Sequence, residues 1–479
     1  MEIQEMDYKM KNSIQLRTYE QYISPTQQLQ LANPTGVAFG GGGFGTFDGT
    51  TISGGEVVEF EIPQMSRSWI DGTKSFIKFQ FASRNSLNNN YYALETSAYD
   101  MIREIEVLQG STILEMIDNL NIQQSLLMDW SINQEHRSSI YNVLCLTQNT
   151  QSSGQSFAAV TTAIEATNDT QEIRKRNGAQ MYNTHLYNVA LPIPSAVLGM
   201  YQKRNLCIDK LQEPLRLRIT LESGVRAFVS TSASGTATYT AGNFELNLQI
   251  VEMSQTSFNM IKQSHGGVLH TMCDMWENKV ANLPLTNSGQ TYTLMYNNSS
   301  SRYKSLKNLV WFPIQTQTGS HYLQISGRSL YPFSSVKFRL SSGKELHRRA
   351  INCNYFYGID AYMSMVKVFD LLGDQKTGGN TVMDLHTFYG IKSSDTPFVN
   401  GSSGNNAEIL GGGSVGLCLK AYENKNAIFS GVDTSDSDLI FVELTYQRNA
   451  TTASTGYLLC NYDAVLSYDM ETGIYTLQK

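Results

Sequence analysis

The chain of 479 residues is too long for one ordinary core, which points to two or more domains. A formal charge of −6 with only 16% charged residues excludes a strongly basic nucleic-acid binder, and 41% hydrophobic residues exclude a disordered chain. No stretch approaches about 20 uninterrupted apolar residues, so no transmembrane helix is expected. The N-terminus lacks the apolar run of a secretory signal, and the six cysteines form no C-x-x-C pair; they read as reduced, small apolar residues of a protein made inside a cell.

Residues 1–54 read as an arm, rich in turn formers and poor in periodic apolar positions. Within it, "FGGGGFGTF" places Gly40, Gly42 and Gly45 in the G-x-G-x-x-G pattern of a dinucleotide loop. That chemistry needs a strand before the glycines and a helix start after them. Pro34 breaks the lead-in and an extended run follows, so the nucleotide reading is set aside. With Lys9, Lys11 and Arg17 offset by Glu2, Glu5, Asp7 and Glu20, the arm is also a poor genome-binding tail.

From Gly55 the pattern turns to β. "EVVEFEIP" sets Val58, Phe60 and Ile62 against Glu59 and Glu61; "KSFIKFQF" and "IREIEVLQGSTILEMID" alternate likewise. "DNLNIQQSLLMDW" reads as a helix, with Asp118 or Asn119 available as its cap. Residues 146–180 are a long polar insertion, "PLRLRITLES" resumes the alternation, and 223–242 reads as a low-complexity loop before "NFELNLQIVEM". The plan then repeats: strands at "HGGVLHTMCDMW", "QTYTLMY", "KNLVWFPIQ" and "HYLQISGRSLYP", a capping box at Ser342–Glu345 opening a helix, more helix at "YMSMVKVFDLL", a polar loop at 393–413, and final strands. This pattern predicts an all-β protein of two tandem eight-stranded jelly-roll β-sandwiches with short helices and long loop insertions. The divisions are 1–54 (arm), 55–260 (first roll) and 261–479 (second roll).

No catalytic, cofactor-binding or metal site is expected. "GGSVG" at 412–416 matches G-x-S-x-G, but Ser414 leads into a strand rather than a helix. The seven histidines form no H-x-x-x-H. Asp433, Asp436 and Asp438 gather on one turn without the spacing or closing Glu of a calcium loop. Two basic clusters, Arg174-Lys175-Arg176 in the long insertion and Lys344 to Arg349 on a helix, could meet phosphates or acidic partners; for the second, ion pairing within the fold or with a neighbouring subunit is the ordinary explanation.

One ordered set of segments carries more. "EFEIPQMSRSWIDGTKSFIKFQF", "SAYDMIREIEVLQGSTILEMID", "VALPIPSAVLGMYQKRNLCIDKLQEPLRLRITLE", "SGRSLYPFSSVKFRLS" and "SGVDTSDSDLIFVELTYQ" together resemble the double jelly-roll major capsid proteins of polinton-like viruses, adintoviruses and virophages. The correspondence spans residues 55–447 and departs at Leu206-Cys207-Ile208, which lacks the expected proline. The resemblance implies homotrimeric, pseudo-hexagonal capsomers tiling an icosahedral shell. It implies contacts with neighbouring capsomers and with minor capsid or penton proteins, no specific nucleic-acid binding, no cofactor, and a place in the virion capsid. On that reading Phe39, Phe44 and Phe47 become apolar anchors by which the glycine-rich arm orders against a neighbouring subunit. The alternative is a carbohydrate-binding or adhesive β-sandwich; a hydrolase on a β scaffold is a third reading, lacking a catalytic constellation.

Overall fold

Strict period-two alternation is what builds the sheets. "LRLRITL" at Leu215–Leu221 buries Leu215, Leu217, Ile219 and Leu221 and turns Arg216, Arg218 and Thr220 outward. The computed structural model describes residues 17–25, 37–38, 46–47, 50–85, 92–147, 180–181, 186–230, 237–298, 302–316, 324–328, 330, 332–354, 359–371, 383, 388, 413–420, 430–447 and 453–479.

In the first half, Leu215–Leu221 lies between Val57–Ile62 and Ile102–Gln109, and Thr112–Ile117 completes a four-stranded sheet. Facing it is a six-stranded sheet. Its spine is the pairing of Ala237–Glu252 with the 18-residue strand Ser68–Asn85. A register break at Asp71–Phe76 bends that long strand. Gly72 sits in the bend, where a Cβ would lie 2.6 Å from the Leu198 carbonyl oxygen, so the approach requires glycine. The second half repeats the arrangement. Val268–Leu283, Ser454–Asp469, Leu306–Gln315 and Val415–Cys418 form one sheet, with Ile474–Gln478 on Ser454–Asp469. Thr291–Asn297, Leu439–Tyr446, Phe333–Leu340 and Ile351–Asn352 form the other. All these pairings are antiparallel, and one continuous apolar cluster runs through both sandwiches.

Four expectations are corrected. First, the stretch before Gly55 is not all arm. Arg17–Ile23 pairs along its whole length with Ala237–Glu252, Thr50–Ile52 pairs with the same strand, and Ile23 is buried. Removing residues 1–25 should therefore cost roughly 2–4 kcal/mol, from seven lost cross-strand pairs. Removing only 1–16 should leave the denaturation midpoint unchanged. Urea unfolding of the two truncations tests this; equal midpoints would contradict it.

Second, the segment after Ser342 is a turn, not a helix. Gly343 adopts φ +84°, Lys337 pairs with Glu345 at 2.7 Å, and His347 Nε2 accepts the Phe338 N–H at 2.8 Å. Strand pairing of Phe333–Leu340 with Ile351–Asn352 outweighs the local capping pattern, and the helix begins only at Asp360. Third, the loop at 223–242 is largely ordered, as a helical turn Gly224–Ala227 and strands Phe228–Ser230 and Ala237–Glu252. Fourth, "HYLQISGRSLYP" holds only an isolated bridge between Ile314 and Arg328 among its described residues. The helix Leu120–Ser131 forms as expected, but Asn119 takes a left-handed φ of 50° and offers no side-chain cap.

Candidate assembly surfaces and the seam between the rolls

The two sandwiches meet along a seam made of side chains bonded to backbone. Glu95 of the first roll accepts the N–H groups of Gln324, Ile325 and Ser326 of the second. Gln109 donates to the Gly473 carbonyl at 2.7 Å and accepts the Tyr475 N–H at 2.7 Å. Tyr475 and Tyr468 donate back to the carbonyls of Cys207 and Asp209. Asn278 donates to the carbonyl of Asp118 at 3.1 Å, at the entrance to the buried helix. Such bonds fix orientation, because each unmade one would leave a buried polar group without water.

That helix carries the seam's central charge. Asp129, Arg137 and Arg328 are all fully buried. Asp129 pairs with Arg137 at 3.2 Å within the first roll and with Arg328 of the second. Arg328 also donates to Ser125 at 3.2 Å and lies over the Phe312 ring at 5.6 Å. Close to the Glu95 contact, Asp100 accepts Thr96 N–H at 2.5 Å, Thr96 Oγ1–H at 2.6 Å and Ser97 N–H at 3.0 Å. Burial, reinforced by the Glu95 charge, pushes the Asp100 carboxyl up to about 7.

The outer faces differ in character. On the first roll's four-stranded sheet, Arg218 bonds Glu59 at 3.1 Å and Glu106 at 2.9 Å, a saturated ladder. On the second roll's, Arg339 bonds Glu443 at 2.7 Å and covers the Phe441 ring at 5.2 Å. Beside Phe441 in register stands Met295, 63% exposed on the edge strand Thr291–Asn297. Leu285 follows the preceding strand, 61% exposed. A short helix, Ile140–Cys145, presents Ile140 and Val143 on one side, the latter 75% exposed. Exposed apolar side chains grouped on sheet and helix faces suit protein contact.

The residues singled out from sequence fall as follows. Phe39 and Phe44 lie outside the described residues. The backbone of Phe47 pairs with Val37, and the next element, Thr50–Ile52, is a strand rather than a phosphate-binding helix. Ser414 is buried and leads into strand Val415–Cys418, away from any elbow geometry. Asp433, Asp436 and Asp438 do not converge. The Ser435 hydroxyl, with the Ser435 N–H that Asp433 accepts, holds the Asp433 carboxyl below the usual range; Asp436 bonds Ser437 and Asp438 pairs with Arg302 at 2.7 Å. Arg174-Lys175-Arg176 and most of the 146–180 and 393–413 loops lie outside the described residues. In the other basic cluster, Arg349 pairs with Asp360 at 3.7 Å. Glu95 and Asp129 escaped sequence reading, because a lone acid carries no local signature; Asp100 closes a capping box with Ser97, an S-x-x-D pattern that the sequence does carry.

No family profile and no curated protein matches the sequence. Solved structures do. A chain of the Sputnik virophage, from its cryo-EM structure at 3.5 Å, aligns over 97% of this chain and 88% of its own, at 12% identity and a TM-score of 0.54. The faustovirus major capsid protein aligns over 94% of this chain and 90% of its own, at 8% identity and a TM-score of 0.52. The fold is the double jelly roll of viral major capsid proteins. At such low identity the likeness is one of fold. The double jelly roll accounts for the repeated plan, and the alignment over nearly the whole chain takes in both rolls together.

Proposed function

We propose that this protein is a major capsid protein, acting as a homotrimeric, pseudo-hexagonal capsomer that tiles an icosahedral shell in the virion. The observation that carries the reading is the joined pair of sandwiches, matched over nearly the full chain by capsid double jelly rolls. The seam supports it: rolls locked by buried bonds form a rigid block, which suits a tile. We place the first roll at 55–260, with the strands Arg17–Ile23 and Thr50–Ile52 added to its sheet, and the second roll at 261–479, and take Phe39, Phe44 and Phe47 as anchors on a neighbouring subunit. Other capsomers and minor capsid or penton proteins are its partners; the role is structural, and synthesis occurs inside the host cell.

Exposed Met295 beside Phe441 is the face most suited to contact between copies. Met295→Glu should leave monomer stability within about 0.5 kcal/mol, as for most surface changes. It should weaken self-association at least tenfold, roughly 1.4 kcal/mol, by placing a charge in an apolar contact. Sedimentation velocity across a concentration series measures both trimer formation and this loss. A wild-type chain that stays monomeric throughout would contradict the capsomer reading, and unchanged association in the variant would remove this face from it.

A further inference from the structure

We propose that the second roll carries an amide cross-link between Lys307 and Asn461, formed by the protein itself. The inference is independent of the capsid reading. Three adjacent strands bring the groups together, with Ser454–Asp469 between Val268–Leu283 and Leu306–Gln315. Asn461 stands in register with Trp276 on one side and Asn308 on the other. Lys307 falls in a register shift between Leu306 and Asn308. Such a bulge re-aims a side chain, and here the lysine is turned inward, its side chain 5% exposed.

The ammonium lies 2.6 Å from Asp274 Oδ1 and 2.9 Å from Asp463 Oδ1. Asn461 Nδ2 donates to the same Asp274 Oδ1 at 2.5 Å, and Asn461 Oδ1 accepts from Asn308 Nδ2 at 2.9 Å. One carboxylate oxygen thus bridges the amine and the amide, while a donor already sits on the amide carbonyl. Asn461 and Asn308 are both buried. Burial works to raise the Asp274 carboxyl, but Lys307, with Lys203 and Asn461, outweighs it and holds it below the usual range, so Asp274 is ionised beside the amine.

The step balances within this cluster. Asp274 takes one proton from the Lys307 ammonium, and the amine attacks Asn461 Cγ. As the Nζ–Cγ bond forms, the carbonyl oxygen gains charge, which Asn308 Nδ2–H stabilises. Asp463 takes a second proton from Nζ. The Cγ–Nδ2 bond then breaks, and the leaving nitrogen departs as ammonium with the two protons held by Asp274 and Asp463. Both carboxylates are regenerated, and no oxidant or cofactor is consumed. Holding amine and amide on one carboxylate oxygen supplies the proximity that makes an otherwise slow aminolysis accessible.

The test is mass spectrometry of the purified full chain. The expected intact mass is about 17 Da, one ammonia, below that of the sequence. Trypsin should release a branched peptide joining residues 305–328 to 449–479, because the linked Lys307 resists cleavage. Asp274→Asn and Lys307→Arg should each restore the full mass and yield separate peptides. An unmodified wild-type mass with separate peptides, the result expected of a plain ion cluster, overturns the proposal even if neither variant folds. So does an ammonia loss without the branched peptide, or one that persists in Lys307→Arg.

Discussion

Asp129→Ala should destabilise the protein by roughly 3–5 kcal/mol, the cost of removing one partner from a buried ion pair. Arg137 and Arg328 approach Asp129 from different rolls, and all three side chains are fully buried. Removing the carboxylate leaves two guanidinium groups facing one another away from water. Because Arg328 belongs to the second roll, the loss falls on the seam as well as on the helix Leu120–Ser131. Arg218→Ala on the outer face is the comparison. Its partners Glu59 and Glu106 lie near solvent, so the change should cost less than about 1 kcal/mol. Urea denaturation of the three proteins measures both. Equal small losses would show that the buried triad does not hold the rolls together.

Stability should fall as pH rises from about 4 to about 7. The sign follows from Asp100. Its carboxyl is raised in the folded protein to about 7 from an ordinary value of 3.8, so across that window the folded state binds more protons than the unfolded. The stabilisation from this group is full below the unfolded value and is lost as pH rises through the folded one. The slope is about 1.4 kcal/mol per pH unit at its steepest, with a total near 4 kcal/mol. Burial pushes Glu95 and Glu115 in the same direction. Asp71, Asp274, Asp433 and Asp469 are shifted the opposite way and act below the window, as their carboxylates protonate in acid. Unfolding free energies at pH 5, 6, 7 and 8 should therefore decline for the natural protein. They should decline less for Asp100→Asn, which has no proton to lose. Parallel profiles for the two proteins would rule out Asp100 as the source.

The sheets were legible because one face of each is buried, and burial writes itself as alternation. Leu215, Leu217 and Ile219 against Arg216 and Arg218 is such a case. Arg17–Ile23 was not legible for the converse reason: as an edge strand it buries only Ile23, so its apolar positions show no period. Ala237–Glu252 begins with small residues that resemble a loop, yet Ala237 and Ala241 pack inward against the long strand Ser68–Asn85. The Ser342–Glu345 pattern misled because a local cap competes with strand pairing and loses. The seam was the least legible part. Glu95 with its three backbone partners, or Asp129 with Arg328, joins residues some 200 positions apart or more. Only the folded arrangement makes those acids distinctive. The assembly anchors proposed at Phe39 and Phe44 rest on sequence and on the resemblance alone.

Negative-stain electron microscopy of the purified chain, before and after conditions that promote assembly, tests the capsid reading most directly. The expected images are particles of pseudo-hexagonal outline, each holding six jelly rolls from three chains, and closed shells or hexagonal sheets built from them. Uniform particles the size of a single two-roll chain, under every condition and at every concentration, would contradict it.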